Sequence, residues 1–309
     1  RMNTDTGRWR LGFTMSLATA VLWGLLPIAL KVALTGMDVY TITWWRFAVS
    51  MLGLGAFLAW RGQLPQMRGA GRGAWLLLGV ALAMLLANYL LYLTALDRTT
   101  PSVSQVVIQL APLLLLLGGV FVFRERFLPR QWLGFIVLGI GLLLFFNNRL
   151  PELLRPTEGL GLGVVLMIVA AIAWAIYGLA QKQLLTVFTS RQVLWMLYVG
   201  ATLALLPTAT PMAVLNLDRL QLSMLAFCCA NTVIAYGAFG EALHYWDVSR
   251  VSAVLATAPL FTMASMWLVE RLGWELLPPE GLNAWSILGA LAVVGGSMTC
   301  ALAGSTVRT

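Results

Sequence analysis

Apolar runs about twenty residues long recur down the whole chain, and they restrict its fold more than any other feature. Residues 73–95 hold no charged side chain. The runs at 11–34, 40–60, 101–123, 130–147, 159–183, 191–210, 219–243, 249–269 and 284–303 hold very few, mostly at their ends. About 20 apolar residues in a helix span a bilayer. Hydrocarbon offers backbone groups no partner, so such runs must be helices that satisfy themselves. The expected fold is therefore all-α and integral to a membrane, with ten transmembrane helices. Composition agrees: 60% of the 309 residues are hydrophobic and 10% charged, where a soluble domain has about a quarter charged.

Short connections join the runs, so no long soluble domain is left over. That argues against an ATP-driven pump, which needs a nucleotide-binding domain. The first run is too long for a signal-peptide core and carries Lys31 where cleavage would be expected. Arg1 precedes Met2, the expected natural start. The net charge of +8 does not point to nucleic acid, because the basic residues sit at run ends. Lysine and arginine fall thirteen on one side of alternate loops and five on the other, which predicts cytoplasmic termini. Trp9, Tyr40, Trp60, Trp75, Trp132, Trp195 and Trp285 lie near run ends, as interfacial anchors do. Cys228, Cys229 and Cys300 lie inside apolar runs without metal-ligand spacing and read as small packing residues.

The chain also repeats itself. At an offset of 147, Tyr89 maps onto Tyr236, Ser102 onto Ser249 and Ala111-Pro112-Leu113 onto Ala258-Pro259-Leu260. At 151, Trp23-x-x-x-Pro27-x-x-x-Lys31 maps onto Trp174-x-x-x-Gly178-x-x-x-Lys182. Arg124-Glu125-Arg126 resembles Val269-Glu270-Arg271, and Gly134 and Gly289 open the fifth run of each half. The expected organisation is a tail at 1–10, a first repeat at 11–150, a second at 151–303 and a tail at 304–309. Five spans is an odd number, so the second copy enters the membrane upside down. Two inverted five-helix repeats about a pseudo-two-fold axis are a common transporter architecture.

On these residues the chain resembles the drug/metabolite transporter superfamily, specifically its EamA-type members. The shared features are five plus five helices, a Trp-Gly pair in the first helix, prolines in the fourth and ninth, and Glu-Arg at the repeat ends. Within that group it is most similar to the bacterial YddG-type aromatic amino acid exporters. The resemblance implies a multi-pass protein of the bacterial inner membrane that exports amino acids, aromatic and other apolar ones, and related metabolites by alternating access.

The fourth run carries Ser102, Gln105, Gln109 and Pro112 at spacings of 3, 4 and 3; the ninth carries Ser249, Ser252, Ala256 and Pro259 at the same spacings. Each set lies on one helix face. A mid-helix proline removes a backbone hydrogen bond and bends the helix. The freed carbonyl must then face protein or water. Pro112 and Pro259 are thus candidate hinges. Gln105, Gln109 and Ser252 are candidates for the cavity wall, or for hydrogen bonds between helices. Asn88, Tyr89 and Tyr92 in the third run, and Asn231, Thr232 and Tyr236 in the eighth, offer amphipathic wall or bundle packing. Trp23 and Trp174, with Tyr177 one turn on, lie too deep for interfacial anchors; they either flank the cavity or pack its core. Lys31 and Arg46 either snorkel outward or attract a substrate carboxylate.

No Asp or Glu falls near mid-membrane, and His244, the single histidine, sits near a helix end. Proton relays need such groups in the membrane. Facilitated export is therefore expected rather than proton coupling. Neither catalytic motif nor metal-ligand cluster is present, and Gly69-x-Gly71-x-Gly73 lacks the strand and full pattern of a phosphate loop. The expectation is no enzyme activity, no cofactor and no metal, with a small-molecule substrate and the bilayer as partners. Nothing fixes the oligomeric state, and a monomer satisfies the reading. Transport of nucleotide-sugars or cationic drugs, or a lipid-handling membrane enzyme, are the alternatives.

Overall fold

The structure is a computed structural model that describes residues 8–65, 71–123, 128–153, 159–246, 248–274 and 276–303. Among them the regular elements are all helical: α1 (Arg8–Ala33), α2 (Val39–Trp60), α3 (Arg72–Arg98), α4 (Pro101–Val107), α5 (Leu110–Phe123), α6 (Pro129–Phe145), α7 (Leu150–Leu153), α8 (Gly159–Leu184), α9 (Ser190–Leu205), α10 (Arg219–Tyr245), α11 (Val248–Leu255), α12 (Ala258–Arg271) and α13 (Ala284–Ala303). Arg124-Glu125-Arg126, Gly69 and the side chains of Ser249 and His244 lie outside the described residues.

Each apolar run is helical, eight as continuous helices and two as broken ones. Seven helices are long and apolar enough to cross a membrane, and shorter apolar helices cover Pro101–Leu115 and Pro129–Phe145. Side-chain caps set several starts. Asp38 accepts from the backbone N–H groups of Tyr40 and Thr41 at the head of α2. Thr189 and Asp218 do the same for Gln192 and Gln221 in α9 and α10, each within a capping box. At the other end of α2, Gly62 takes φ +63°, and Gln63 N–H donates back to Leu58 O at 2.8 Å; a residue with a Cβ would be strained there.

The fourth and ninth runs break for the same reason. Pro112 cannot donate to Ile108 O, and Ala111 N–H takes that carbonyl instead at 2.9 Å. Around Pro259 the tight bonds fall differently: Thr257 N–H donates to Val254 O at 3.0 Å ahead of the proline, and Leu260 N–H to Thr257 O at 2.9 Å just past it. The tighter local turns separate α4 from α5 and α11 from α12.

Helices from the two halves pair antiparallel. In α1 and α10, Gly12 lies on Trp246 and Gln221 Nε2 donates to Thr35 Oγ1. In α2 and α9, Thr41 bonds Thr210 while Gln192 Nε2 reaches Gln63 O. Between α3 and α8, Asn88 Nδ2 donates to Ala170 O at 2.9 Å, and Gly163 sits against Ala95 and Thr99.

The α6–α13 pair is the closest. A Cβ on Gly134 would stand 2.6 Å from Gly296 O, and one on Gly141 2.8 Å from Gly289 O. Glycine is required because backbone touches backbone. Away from these seams the molecule is greasy. Val165, Val169, Ile172 and Ile176 of α8, and Leu133, Ile136, Ile140 and Leu143 of α6, are exposed, each set a helical stripe suited to lipid. Trp9, Tyr40, Trp60, Trp75, Trp132 and Trp285 are exposed as expected of anchors. Trp195 differs: it lies over Gly55, and its Nε1 donates to Met51 O at 3.2 Å.

Candidate functional site

Proline chemistry builds the centre of the molecule. Pro27 in α1 has no N–H for Trp23 O, four residues earlier. Gln105 of α4 supplies the missing donor, its Nε2 lying 2.9 Å from Trp23 O. One residue on, Gly24 O accepts from Thr262 Oγ1 at 2.6 Å. There α1 runs so close to α12 that a Cβ on Gly24 would stand 2.8 Å from Ala258 O.

The two helix breaks face each other. Leu260 N–H has turned to Thr257, which leaves Ala256 O without its helical donor. Gln109 Nε2, from the break between α4 and α5, fills the vacancy at 2.8 Å. Gln109 and Ala256 are 147 residues apart, the offset that relates the two halves in the sequence. Both glutamines are buried, and both commit amide hydrogens to proline-related carbonyls. Beside the breaks, Pro259 is buried, while Pro112 and Ser252 are half-buried.

The aromatic residues divide into two groups. Trp23 packs edge-on against Tyr236, with ring centroids 5.6 Å apart, and against Phe239 at 5.8 Å. Tyr89 and Tyr177 belong instead to a buried cluster with Phe47, Met196, Leu197 and Tyr198, and Trp174 packs on its margin. Phe47 joins Tyr89 at 4.6 Å and Tyr198 at 5.7 Å. The two groups meet where Tyr236 comes within electrostatic reach of Tyr89, Tyr177 and Tyr198. Asn88 is spent on Ala170 O. The matched contact in the other half runs the opposite way: Ala235, at the position of Asn88, accepts through its carbonyl from the Thr19 hydroxyl at 3.4 Å. Asn231 donates to Leu22 O at 2.6 Å, again tying α10 to α1.

Arg46 does not snorkel. It is 4% exposed, its guanidinium lies 4.7 Å over the Tyr89 ring, and its Nε donates to Thr232 Oγ1 at 3.1 Å. Half-buried Tyr92 is within its electrostatic reach. A charge seven residues into an apolar run was the only signal of this site. Its burial depends on which way α2 is rotated, which periodicity in so apolar a run does not fix. Tyr198 and Phe47 carried no signal beyond being aromatic. Lys31 turns to the end of α3, where Nζ donates to Leu96 O at 2.7 Å and Asp97 O at 2.6 Å. A cation at a helix C-terminus also meets the negative end of the helix dipole.

The three cysteines are free and buried. Among the described residues, no group of three His, Cys, Asp or Glu side chains is placed to hold a metal ion.

Comparison with known proteins agrees with this architecture. The EamA-like transporter family matches the chain twice, at residues 10–147 and 161–302. An uncharacterized inner membrane transporter of Escherichia coli, YhbE, is 39% identical over 293 residues, covering 94% of this chain and 91% of its own. A probable amino-acid metabolite efflux pump of the same organism is 24% identical, over 91% and 92% of the two chains. A crystal structure of another chain, 17% identical, has a TM-score of 0.63 over 96% of this chain and 98% of that one; it supports the fold alone. With matched segments over most of its length, helices able to cross a membrane and paired proline breaks at its centre, this chain belongs to the EamA-like transporter family.

Proposed function

We propose that the protein exports amino acids with aromatic or other apolar side chains, and related metabolites, by alternating access across a bacterial inner membrane. The reading takes all ten helical runs as spans, in two inverted halves at 11–150 and 151–303, with both termini cytoplasmic. The observation that carries it is the Gln109–Ala256 hydrogen bond. It joins equivalent breaks in two helices, where the chain can bend without unravelling either helix. Two half-bundles rocking about such a seam would expose a central path to each side in turn.

Trp23, Tyr92 and Tyr236 would offer ring surface to a substrate side chain. Gln105, Gln109 and Ser252 line the same faces of the broken helices, and Pro112 and Pro259 mark the bends. Tyr89, Tyr177, Trp174 and Asn88 stand behind that surface and hold its shape. The efflux-pump relative supports the amino-acid class. Among the described residues no Asp or Glu lies in the central stretch of a helix able to span, which favours facilitated movement.

Flux of a labelled amino-acid panel into proteoliposomes tests the reading, with and without a pH gradient. The expected result is saturable movement of phenylalanine, tryptophan and leucine, with the final level set by the substrate gradient alone. Accumulation that follows the pH gradient would overturn the facilitated mode. Movement of nucleotide-sugars or cationic drugs and of no amino acid would overturn the substrate class.

A further inference from the structure

We propose that Arg46 is the anion-binding group of the transport path, taking the carboxylate of the substrate on a guanidinium held over the Tyr89 ring. The inference rests on the exporter reading and gives its substrate a required chemical group.

Arg46 lies seven residues beyond Val39, about 10 Å along α2 from its outer end at the helical rise. It is buried at a depth where a cation without an anion is unfavourable. Among the described residues no carboxylate comes within ion-pair distance of it. Arginine has five N–H donors. Only Nε is hydrogen-bonded among the described residues, to Thr232. The Tyr89 face and one hydroxyl compensate part of the lost hydration and leave the bidentate edge of the fork unmatched.

That edge is open. The side-chain atoms sealed without a partner are Trp44 Nε1, Ser102 Oγ, Asn231 Oδ1, Trp246 Nε1 and Glu280 Oε2. The Nη atoms of Arg46 are not among them, so the fork keeps a little exposed surface although the residue is 4% exposed.

The surroundings suit an anion with an apolar body. Tyr198, Cys228 and Cys229 lie within electrostatic reach of the guanidinium, as does Tyr92. All of these are neutral groups, and none can neutralise it. The charge is also one-sided. The offset of 151 that relates the α2 cap Asp38 to the α9 cap Thr189 takes Arg46 to Leu197, which is fully buried. A cation needed only to hold the bundle together would have reason to appear in both halves. A single one marks the half of the path where a substrate anion rests.

The test uses three probes of one shape: L-phenylalanine, 3-phenylpropionate, which lacks the ammonium, and L-phenylalaninamide, which lacks the carboxylate. Binding is read by thermal shift of the full-length protein in detergent, and flux in proteoliposomes. The wild type should bind both carboxylates and discriminate against the amide. Arg46→Met should fold with an unchanged or raised Tm, because it removes a buried unpaired charge. It should bind the carboxylates about ten- to a hundred-fold more weakly, the loss expected of a charged hydrogen-bonded pair, and lose the preference over the amide.

If Arg46→Met keeps the preference, or the wild type binds acid and amide alike or neither, the assignment is wrong. A variant that unfolds is decided by the wild-type preference together with Arg46→Lys, which keeps the charge and should retain part of it. Binding of 3-phenylpropionate that depends on Arg46, with no amino acid transported, would leave the anion site standing and remove the amino-acid exporter reading. Amino-acid flux unchanged in Arg46→Met would do the reverse.

Discussion

Gln109 and Ser252 stand on matching faces of the two broken helices, and the structure gives them unequal work. Gln109 donates to Ala256 O between the two helix breaks, and Gln105 serves Trp23 O. Removing either amide leaves a buried carbonyl unpaired, a cost of about 1–3 kcal/mol. Among the described residues no side-chain hydrogen bond of this kind falls on Ser252. Gln109→Ala is therefore expected to lower Tm and to cut phenylalanine flux by roughly tenfold, in line with that free energy. Ser252→Ala should stay within about a factor of two, since changes away from such features are small. Equal flux in the two variants would remove the seam from the mechanism. The prolines and the helical spacing of the glutamines were legible in the sequence, because each proline must free a carbonyl. Which amide would reach which carbonyl was not, since that depends on how α4 lies against α1 and α12. The same limit hid Arg46, whose position in its run allowed either burial or escape to the surface.

At the scale of elements, the sequence predicted helices well because ten apolar runs leave few alternatives. It left the fourth and ninth as bent helices, whereas the structure divides them by local turns ahead of each proline. The fifth and tenth runs are both apolar and glycine-rich. Their glycines prove unequal. Gly141 and Gly289 hold α6 and α13 at backbone contact, while added Cβ atoms on Gly139 and Gly295 would meet nothing within 4 Å. Composition cannot separate the two kinds; only the crossing geometry does. Gly141→Leu should therefore cost at least about 1–3 kcal/mol, the usual range for overpacking, seen as lower Tm and poor yield of monodisperse protein. Gly139→Leu should be neutral, its side chain passing into lipid. A neutral Gly141→Leu would mean that α6 and α13 do not pack as described.

The whole molecule is organised by antiparallel pairing of helices from opposite halves, and this bears on its orientation in the membrane. Parallel halves would place repeat-matched residues on one side of the bilayer; inverted halves place them on opposite sides. Tyr40 and Arg191 are matched at the offset of 151, each just inside the capped start of its helix, and both are exposed. They can be replaced by cysteine without emptying a core site. The native Cys228, Cys229 and Cys300 are buried, so the background of reaction with a membrane-impermeant maleimide should be low. The excess of lysine and arginine over the alternate loops that include Arg191 predicts a cytoplasmic place for its loop. Tyr40→Cys is then expected to react in intact cells, and Arg191→Cys only after permeabilisation. Reaction of both from the same side would show that the halves run parallel, and the rocking pair of half-bundles would have to be abandoned with them. Reaction of Arg191→Cys alone from outside would keep the inversion and turn the whole molecule over. Arg46 would then lie in the inner half of the membrane, so that its carboxylate site would be reached first by substrate arriving from the cytoplasm.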